Sequence, residues 1–324
     1  MPADPHVIEF LADAPLFFQP WWLELTAPGA WDYVVVKRGE TIAAVLPYVA
    51  KVRCGWRVLE MPAYTPFLGP WLRKSTAKYA NRLGEEKDLM TELIDGLPKF
   101  AIFRQQLHPG ITNWLPFMWR GFQQTTLYTY RIEDTRDLER LWAETRDNVR
   151  TDIKKARKMV TVEETDDFGH VIRMQNLTLQ RQGLANPHTD ESMRRFGAGC
   201  AEHGAGKIFI ARDPQGRVHA SVYLLIDATT VYYYTGGGDP ELRNSGATSL
   251  LVWRAIETAA ALGRKFDFEG SVLEPVERFF RSFGAVQTPF FAVSKVNSRA
   301  AVAAKRAAGW LKSIASRRAT AGGA

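Results

Sequence analysis

Lys207-Ile-Phe-Ile-Ala-Arg212, Asp213-Pro-Gln-Gly216 and Val218-His-Ala-Ser-Val-Tyr-Leu-Leu-Ile226 follow one another closely in this chain. The first and third stretches are rich in β-branched and aromatic residues and read as strands. The middle one places Asp, Pro and Gly in the order a tight turn uses. Thr230-Val-Tyr-Tyr-Tyr234 is a further β-rich run, leading into Gly236, Gly237 and Gly238. Ala247 to Leu262 then carries Leu250, Leu251, Ile256 and Ala260 at helical spacing, and Gly263 ends it. Lys265-Phe-Asp-Phe268 reads as a short strand, Glu274 to Phe283 as a helix stopped by Gly284, and Thr288 to Ser294 as a closing strand. Strands alternating with helices predict an α/β architecture.

The first half repeats the opening of this pattern. Trp31-Asp-Tyr-Val-Val-Val-Lys37 reads as a strand, Arg38-Gly-Glu40 as a turn, and Thr41-Ile-Ala-Ala-Val-Leu-Pro47 as the returning strand. Between the halves, Asp134 to Lys158 reads as a long polar helix or a helix pair, with Thr135 as its N-cap. Two further helices are expected around the Gly183–Pro187 break within Asn176 to Phe196. The expected domains are therefore 1–135 and 136–297, followed by a basic amphipathic helix over 298–324.

At 324 residues the chain has room for two domains, and 46% hydrophobic with 24% charged residues is ordinary for a globular protein. Cys54 and Cys200 stand far apart in no paired motif, which predicts two buried thiols in a reducing compartment. The first fifteen residues carry three acids, Asp4, Glu9 and Asp13, and lack a basic, then apolar, leader pattern. No apolar run approaches the ~18 residues a membrane span requires. A cytoplasmic location follows as the expectation, with the tail able to touch the inner face of a membrane. The net charge of +7 sits entirely in that tail: Lys295 to Ala324 holds seven basic residues and no acid. Ala303, Ala307, Trp310, Leu311 and Ile314 trace one face of it. Such a helix binds an anionic membrane or RNA, or packs on the body with its cations wet.

Four stretches could carry chemistry. Arg146, Arg150, Lys154 and Lys158 recur every fourth residue on one helix face, and Lys155 and Arg157 belong to the same basic row. They form either a phosphate-binding ladder or a solvated face balanced by Glu144, Asp147 and Asp152. Tyr232, Tyr233 and Tyr234 precede the three glycines, and Arg243-Asn-Ser-Gly246 opens the next helix. Backbone N–H groups at such a start attract anions, and Gly236, Gly237 and Gly246 would let a ligand approach; an ordinary glycine turn is the alternative. Asp267 and Glu269 are expected on one face of a strand end. There a carboxylate of raised pKa could serve as a general base, or simply order a loop or cap the next helix; Ser271, at the end of this stretch, is a further candidate for binding substrate. Arg278 and Arg281 are helix-surface neighbours that clamp an anion or stay solvated. The six histidines form no metal-binding spacing, so no metal is expected.

Taken in order, the Tyr-Gly strand, the Arg243 loop, Asp267-Phe-Glu-Gly270 and Arg278-Phe-Phe-Arg-Ser-Phe-Gly284 resemble the second unit of Fem-type peptidyltransferases, a branch of the GNAT acyltransferase superfamily. Asp147 to Lys158 and Thr178-Leu-Gln-Arg-Gln-Gly183, with Arg181, are similar to the family segments that open that unit. The resemblance implies two tandem GNAT-like units, each a mixed, mostly antiparallel sheet flanked by helices. It implies transfer of an acyl or aminoacyl group to an amine of an acceptor with a phosphate-rich handle, such as a cell-envelope or polysaccharide precursor. No tightly bound cofactor is implied; the donor would be aminoacyl-tRNA or acyl-CoA. Glu269 or Asp267 would take the amine proton, and Tyr234 would protonate the leaving group. The acyl-CoA signature, roughly (Q/R)-x-x-G-x-(G/A), appears only as Arg243 to Thr248, with Thr248 in the last small slot. Two other functions stay open: a CoA-dependent N-acetyltransferase, and a non-catalytic module binding RNA or a nucleotide-linked intermediate.

Overall fold

The computed structural model describes residues 4–181, 183–298, 300 and 303. These residues form two compact units, one within 1–127 together with those described from 290 onward, and one within 128–289. The amphipathic tail expected from Ser298 onward otherwise lies outside the described residues.

The first unit begins with helices α1 (Pro5–Ala12) and α2 (Pro20–Thr26). Strands β1 (Trp31–Arg38), β2 (Thr41–Arg53), β3 (Trp56–Glu60) and β4 (Trp71–Leu72) follow, then α3 (Tyr79–Asp95), β5 (Ile102–Gln106) and α4 (Leu115–Trp119). β1 and β2 form the expected antiparallel hairpin, and β2 pairs in turn with β3. β3 runs parallel to β5. Ile42 to Val49 is buried without a break, so β2 lies inside, covered on both faces. α3 turns Leu89, Met90, Leu93 and Ile94 inward, the i, i+1, i+4, i+5 stripe of a helix lying on a sheet.

β6 (Gln123–Ile132) carries the chain into the second unit. There follow α5 (Leu138–Glu144), α6 (Asp147–Ala156), β7 (Thr161–Thr165), α7 (Gly169–Arg181), α8 (Asp190–Glu202), β8 (Gly206–Arg212), β9 (Val218–Ile226) and β10 (Thr230–Gly238). α9 (Ala247–Ala261), β11 (Lys265–Asp267), α10 (Glu274–Phe280) and β12 (Val286–Val296) complete the chain. Within this unit the strand order is β7-β8-β9-β10-β11-β6. All pairs are antiparallel except β10 with β11.

Strand alternation divides β9 between two cores. Ala220, Val222 and Leu224 pack with Leu251, Trp253 and Ile256 of α9. Tyr223 points the other way, 4.9 Å ring to ring from Phe168. α9 is helical because Gly246 in a left-handed conformation (φ 76°) caps its start and Gly263 (φ 63°) ends it. Burying each large apolar side chain of α9 is worth roughly 1.5–3 kcal/mol.

Three expectations are corrected. Thr135 is not a helix cap: its hydroxyl donates to the Arg264 carbonyl at 2.7 Å. The cap of α5 is Asp137, which accepts from the Arg140 N–H at 2.9 Å. Cys54 is exposed in the β2–β3 turn, and only Cys200 is a buried thiol, with burial pushing it up to about 12. The stretch read as one helix or two is the pair α5 and α6. The sequence places one boundary near Thr135, whereas the chain changes units inside β6 and again inside β12. Residues 292–296 of β12 pair with β5, and Arg131 and Ile132 of β6 pair with β11. Each half of the sequence thus supplies a strand to the other unit.

Candidate active site

β10 and β11 run side by side through Thr230↔Lys265, Val231↔Phe266 and Tyr232↔Asp267, and there the ladder stops. On β10 the pairing with β9 skips from Tyr233↔Leu224 to Thr235↔Tyr223, so Tyr234 is a bulged residue. A bulge bends its strand and leaves a backbone group outside the ladder. On the other arm the chain turns away. Phe268 donates its N–H to the Tyr130 carbonyl at 2.9 Å. Glu269 and Gly270 both adopt positive φ, 57° and 76°. A Cβ at Gly270 would lie 2.1 Å from the Tyr128 carbonyl, so only glycine lets this turn press onto β6. The result is a wedge between two parting parallel strands.

Asp267 sits at the apex, 1% exposed. One carboxylate oxygen accepts from the Thr129 hydroxyl at 2.5 Å and the Glu269 N–H at 2.8 Å. The other lies 3.1 Å from Arg131 Nε, an ion pair whose angle falls short of a hydrogen bond. Burial raises its pKa despite the opposing pull of Arg131, Thr129 and the amide. Asp267 is therefore a fully engaged anchor that fixes the turn, a positioning residue.

Glu269 differs in its partners. Its Oε1 is buried and has no hydrogen-bond partner among the described residues. Burial first, and the Asp267 charge second, push its pKa well above the carboxylate range. The left-handed backbone of a glutamate stores roughly 1 kcal/mol or more of strain. A strained residue with one buried, unpartnered carboxyl oxygen at a strand opening is the arrangement expected of a general base. The expectation that strand alternation puts Asp267 and Glu269 on one face does not hold: β11 ends at Asp267, and the positive φ of Glu269 breaks the alternation.

The tyrosines and glycines divide by contact. Tyr232 is buried and donates to Asp227 at 3.0 Å. Tyr233 packs on Phe268 and Phe280, at 6.1 and 5.5 Å between ring centroids, and burial raises its pKa. Tyr234 points to the opposite face, against Phe196 and Tyr223. A Cβ at Gly236 would lie 2.2 Å from the Tyr233 hydroxyl. One at Gly237 would lie 2.4 Å from Thr178 Oγ1 and 2.6 Å from the Met174 carbonyl. These two glycines make room for a tyrosine ring and for α7. Gly246 likewise admits α6, whose Asp152 carbonyl would be 2.5 Å from an added Cβ.

The basic residues are mostly engaged. Arg150 pairs with Asp147, and Lys154 stands exposed on α6. Lys155 of the same basic row donates to the Asn244 carbonyl and ties α6 to the loop before α9. Arg243 is exposed on that loop, and Arg181 at the end of α7. Arg278 pairs with Glu274, and Arg281 lies 3.1 Å from Glu277, which also accepts from the Tyr130 hydroxyl at 2.6 Å. Ser271 accepts from the Leu273 N–H at 3.1 Å and leads into α10. Sequence reading missed Thr129 and Arg131, because nothing local ties them to a carboxylate more than 130 residues away. Among the described residues no His, Cys, Asp and Glu group could hold a metal, and no helix is long and apolar enough to cross a membrane.

Residues 143–281 match the acetyltransferase (GNAT) domain family. No curated protein matches the sequence. Among solved structures, FemX superposes with a TM-score of 0.62 at 13% identity, over 84% of this chain and 90% of that one. L-PGS from Bacillus licheniformis does so at 0.52 and 9%, over 93% and 94%.

Proposed function

We propose that this chain, an acyltransferase of the GNAT superfamily with the fold of the Fem-like branch, uses the wedge between β10 and β11 to pass an acyl or aminoacyl group to an amine. The observation carrying this reading is the Glu269 carboxyl beside the parted strands, whose Oε1 is buried and without a hydrogen-bond partner among the described residues. It also favours an enzyme over a silent binding module, which has no use for a strained buried acid.

The donor's carbonyl lies in the wedge, and the acceptor nitrogen attacks its carbon. Glu269 takes the proton from that nitrogen, directly or through one water. Charge developing on the carbonyl oxygen is met by backbone N–H at the Tyr234 bulge. The bond from the carbonyl carbon to the leaving oxygen or sulfur breaks, and Tyr234 returns a proton to the leaving atom. The donor's anionic portion sits at the start of α9, beside Arg243 and near Lys155. Aminoacyl-tRNA is the favoured donor. Thr248 stands where the acyl-CoA signature has a small residue, its hydroxyl 3.0 Å from the position of a Cβ on Gly238. An amine on a phosphate-bearing cell-envelope or polysaccharide precursor is the acceptor class, reached in the cytoplasm or at the inner membrane face.

The purified protein is incubated with a low-mass bacterial extract as acceptor, with either labelled aminoacyl-tRNAs or labelled acetyl-CoA. Label moving from tRNA supports the reading in full. Label moving only from the thioester replaces the donor and keeps the site. Transfer from neither removes the catalytic roles of Glu269 and Tyr234.

A further inference from the structure

The two units share one strand plan. In the first, β2 pairs antiparallel with β3, β3 runs parallel to β5, and α3 connects the parallel pair. In the second, β9, β10, β11 and α9 repeat this arrangement. The units differ at the point where the parallel strands part. β10 and β11 separate after Tyr232↔Asp267, and their ladder is not resumed among the described residues. β3 and β5 pair at Val58↔Ile102 and Leu59↔Phe103, and then the contact is taken up again. After an excursion through Met61 to Phe67, Leu68 forms a parallel bridge with Leu107. Its N–H donates to the Gln106 carbonyl at 2.8 Å, and its carbonyl accepts from the His108 N–H at 2.7 Å. Trp71 and Leu72 go on to pair with Val45 and Ala44 of β2.

This segment is seated tightly. Phe67 and Leu68 are fully buried. The Thr65 hydroxyl accepts from Trp22 Nε1 at 2.9 Å. Gly69 holds φ 108°, where a Cβ would come 2.8 Å from Leu107 Cδ2. Pro62, Pro66 and Pro70 stiffen the backbone, which lowers the entropy lost on seating it.

We infer that the segment from Met61 to Leu72 fills, in the first unit, the gap that is left open for a donor in the second. The protein then has a single donor site, and the first unit keeps the transferase frame with its opening sealed by its own chain. The inference rests on the proposed function for what enters the second unit's wedge. The seal itself is independent of that reading.

Hydrogen exchange on the full chain, read at single-amide resolution, tests both separately. It is run on the free protein and with saturating acetyl-CoA or mixed aminoacyl-tRNAs. In the free protein the Leu68 and His108 amides should exchange at least about 100-fold more slowly than in an unstructured peptide, and donor should not change this. Donor-dependent protection should be confined to Tyr233–Thr248 and Phe266–Ser271. Gly69→Ala should speed exchange at Leu68 and His108 about tenfold; if that variant does not fold, the wild-type amides decide. Free exchange of Leu68 and His108, or their loss of protection when donor is added, overturns the seal. Slow Leu68 and His108 amides with no donor protection in the second unit would keep the seal and overturn the donor reading.

Discussion

Gly237→Ala separates two explanations for the glycines that end β10. In one they let a phosphate approach; in the other they let α7 lie against the strand. An added Cβ would stand 2.6 Å from the Met174 carbonyl oxygen, a backbone atom that no rotamer change can move. Restoring an ordinary contact of about 3.4 Å requires α7 to retreat by about 0.8 Å. The helix is held in place by Val171, Ile172 and Met174, all buried, so the retreat opens space beneath three side chains. Overpacking of this kind costs about 1–3 kcal/mol. For a unit of this size that lowers the melting temperature by roughly 2–12 °C. Thermal unfolding followed by circular dichroism measures the loss, and titration with donor below the melting point measures affinity. A variant that melts with the wild type but binds donor at least tenfold more weakly would refute the packing explanation and restore Gly237 to the phosphate site.

Other substitutions test the wedge and the division of the chain. Asp267→Asn takes from the Arg131 guanidinium, 12% exposed, the buried one of its two anions and leaves Glu133 at 3.2 Å, and should cost about 1–3 kcal/mol of stability in denaturant unfolding. Glu269 holds its proton more tightly folded than unfolded, so wild-type stability should fall as pH rises from the unfolded carboxylate value to the folded one. Glu269→Gln should remove that slope and, above it, match or exceed the wild type by about 1–3 kcal/mol; an unchanged pH-stability curve would place the carboxyl in water. A fragment of residues 1–135 keeps β3 beside β5 but lacks β12, which pairs along all of Ile102–Gln106, so it should show no cooperative melt on its own. A cooperative transition in that fragment would mean that β12 is dispensable.

What the sequence disclosed was local. The hairpins at Trp31–Arg53 and Gly206–Ile226 follow from β-rich runs broken by turn residues, and α9 from a spaced apolar stripe between two glycines. Each of those signals lies within one short stretch of chain, inside the reach of propensity and periodicity. The features that make the wedge are of another kind. The bulge at Tyr234 is a register shift against β9, which no property of Tyr234 itself announces. The left-handed turn at Glu269 depends on Gly270 fitting under the Tyr128 carbonyl. That contact reversed the same-face reading of Asp267 and Glu269, since strand alternation holds only while the backbone stays extended. The glycine cluster was visible, but its purpose lay in the positions of α7 and the Tyr233 ring. Arg278 and Arg281 look like an anion clamp in isolation, and their partners Glu274 and Glu277 each lie one helical turn earlier.

The pH dependence of single-turnover transfer, compared between the wild type and Glu269→Gln, tests the assignment of the wedge most directly. A base must be ionised to act, and the pKa of Glu269 is raised by burial and by Asp267. The wild-type rate should therefore fall as pH drops through a midpoint above the ordinary carboxylate range. Glu269→Gln should lose that acid limb together with about 10²–10⁴-fold of the rate. A variant that transfers at the wild-type rate and keeps the same limb would contradict the account and move the base elsewhere in the second unit.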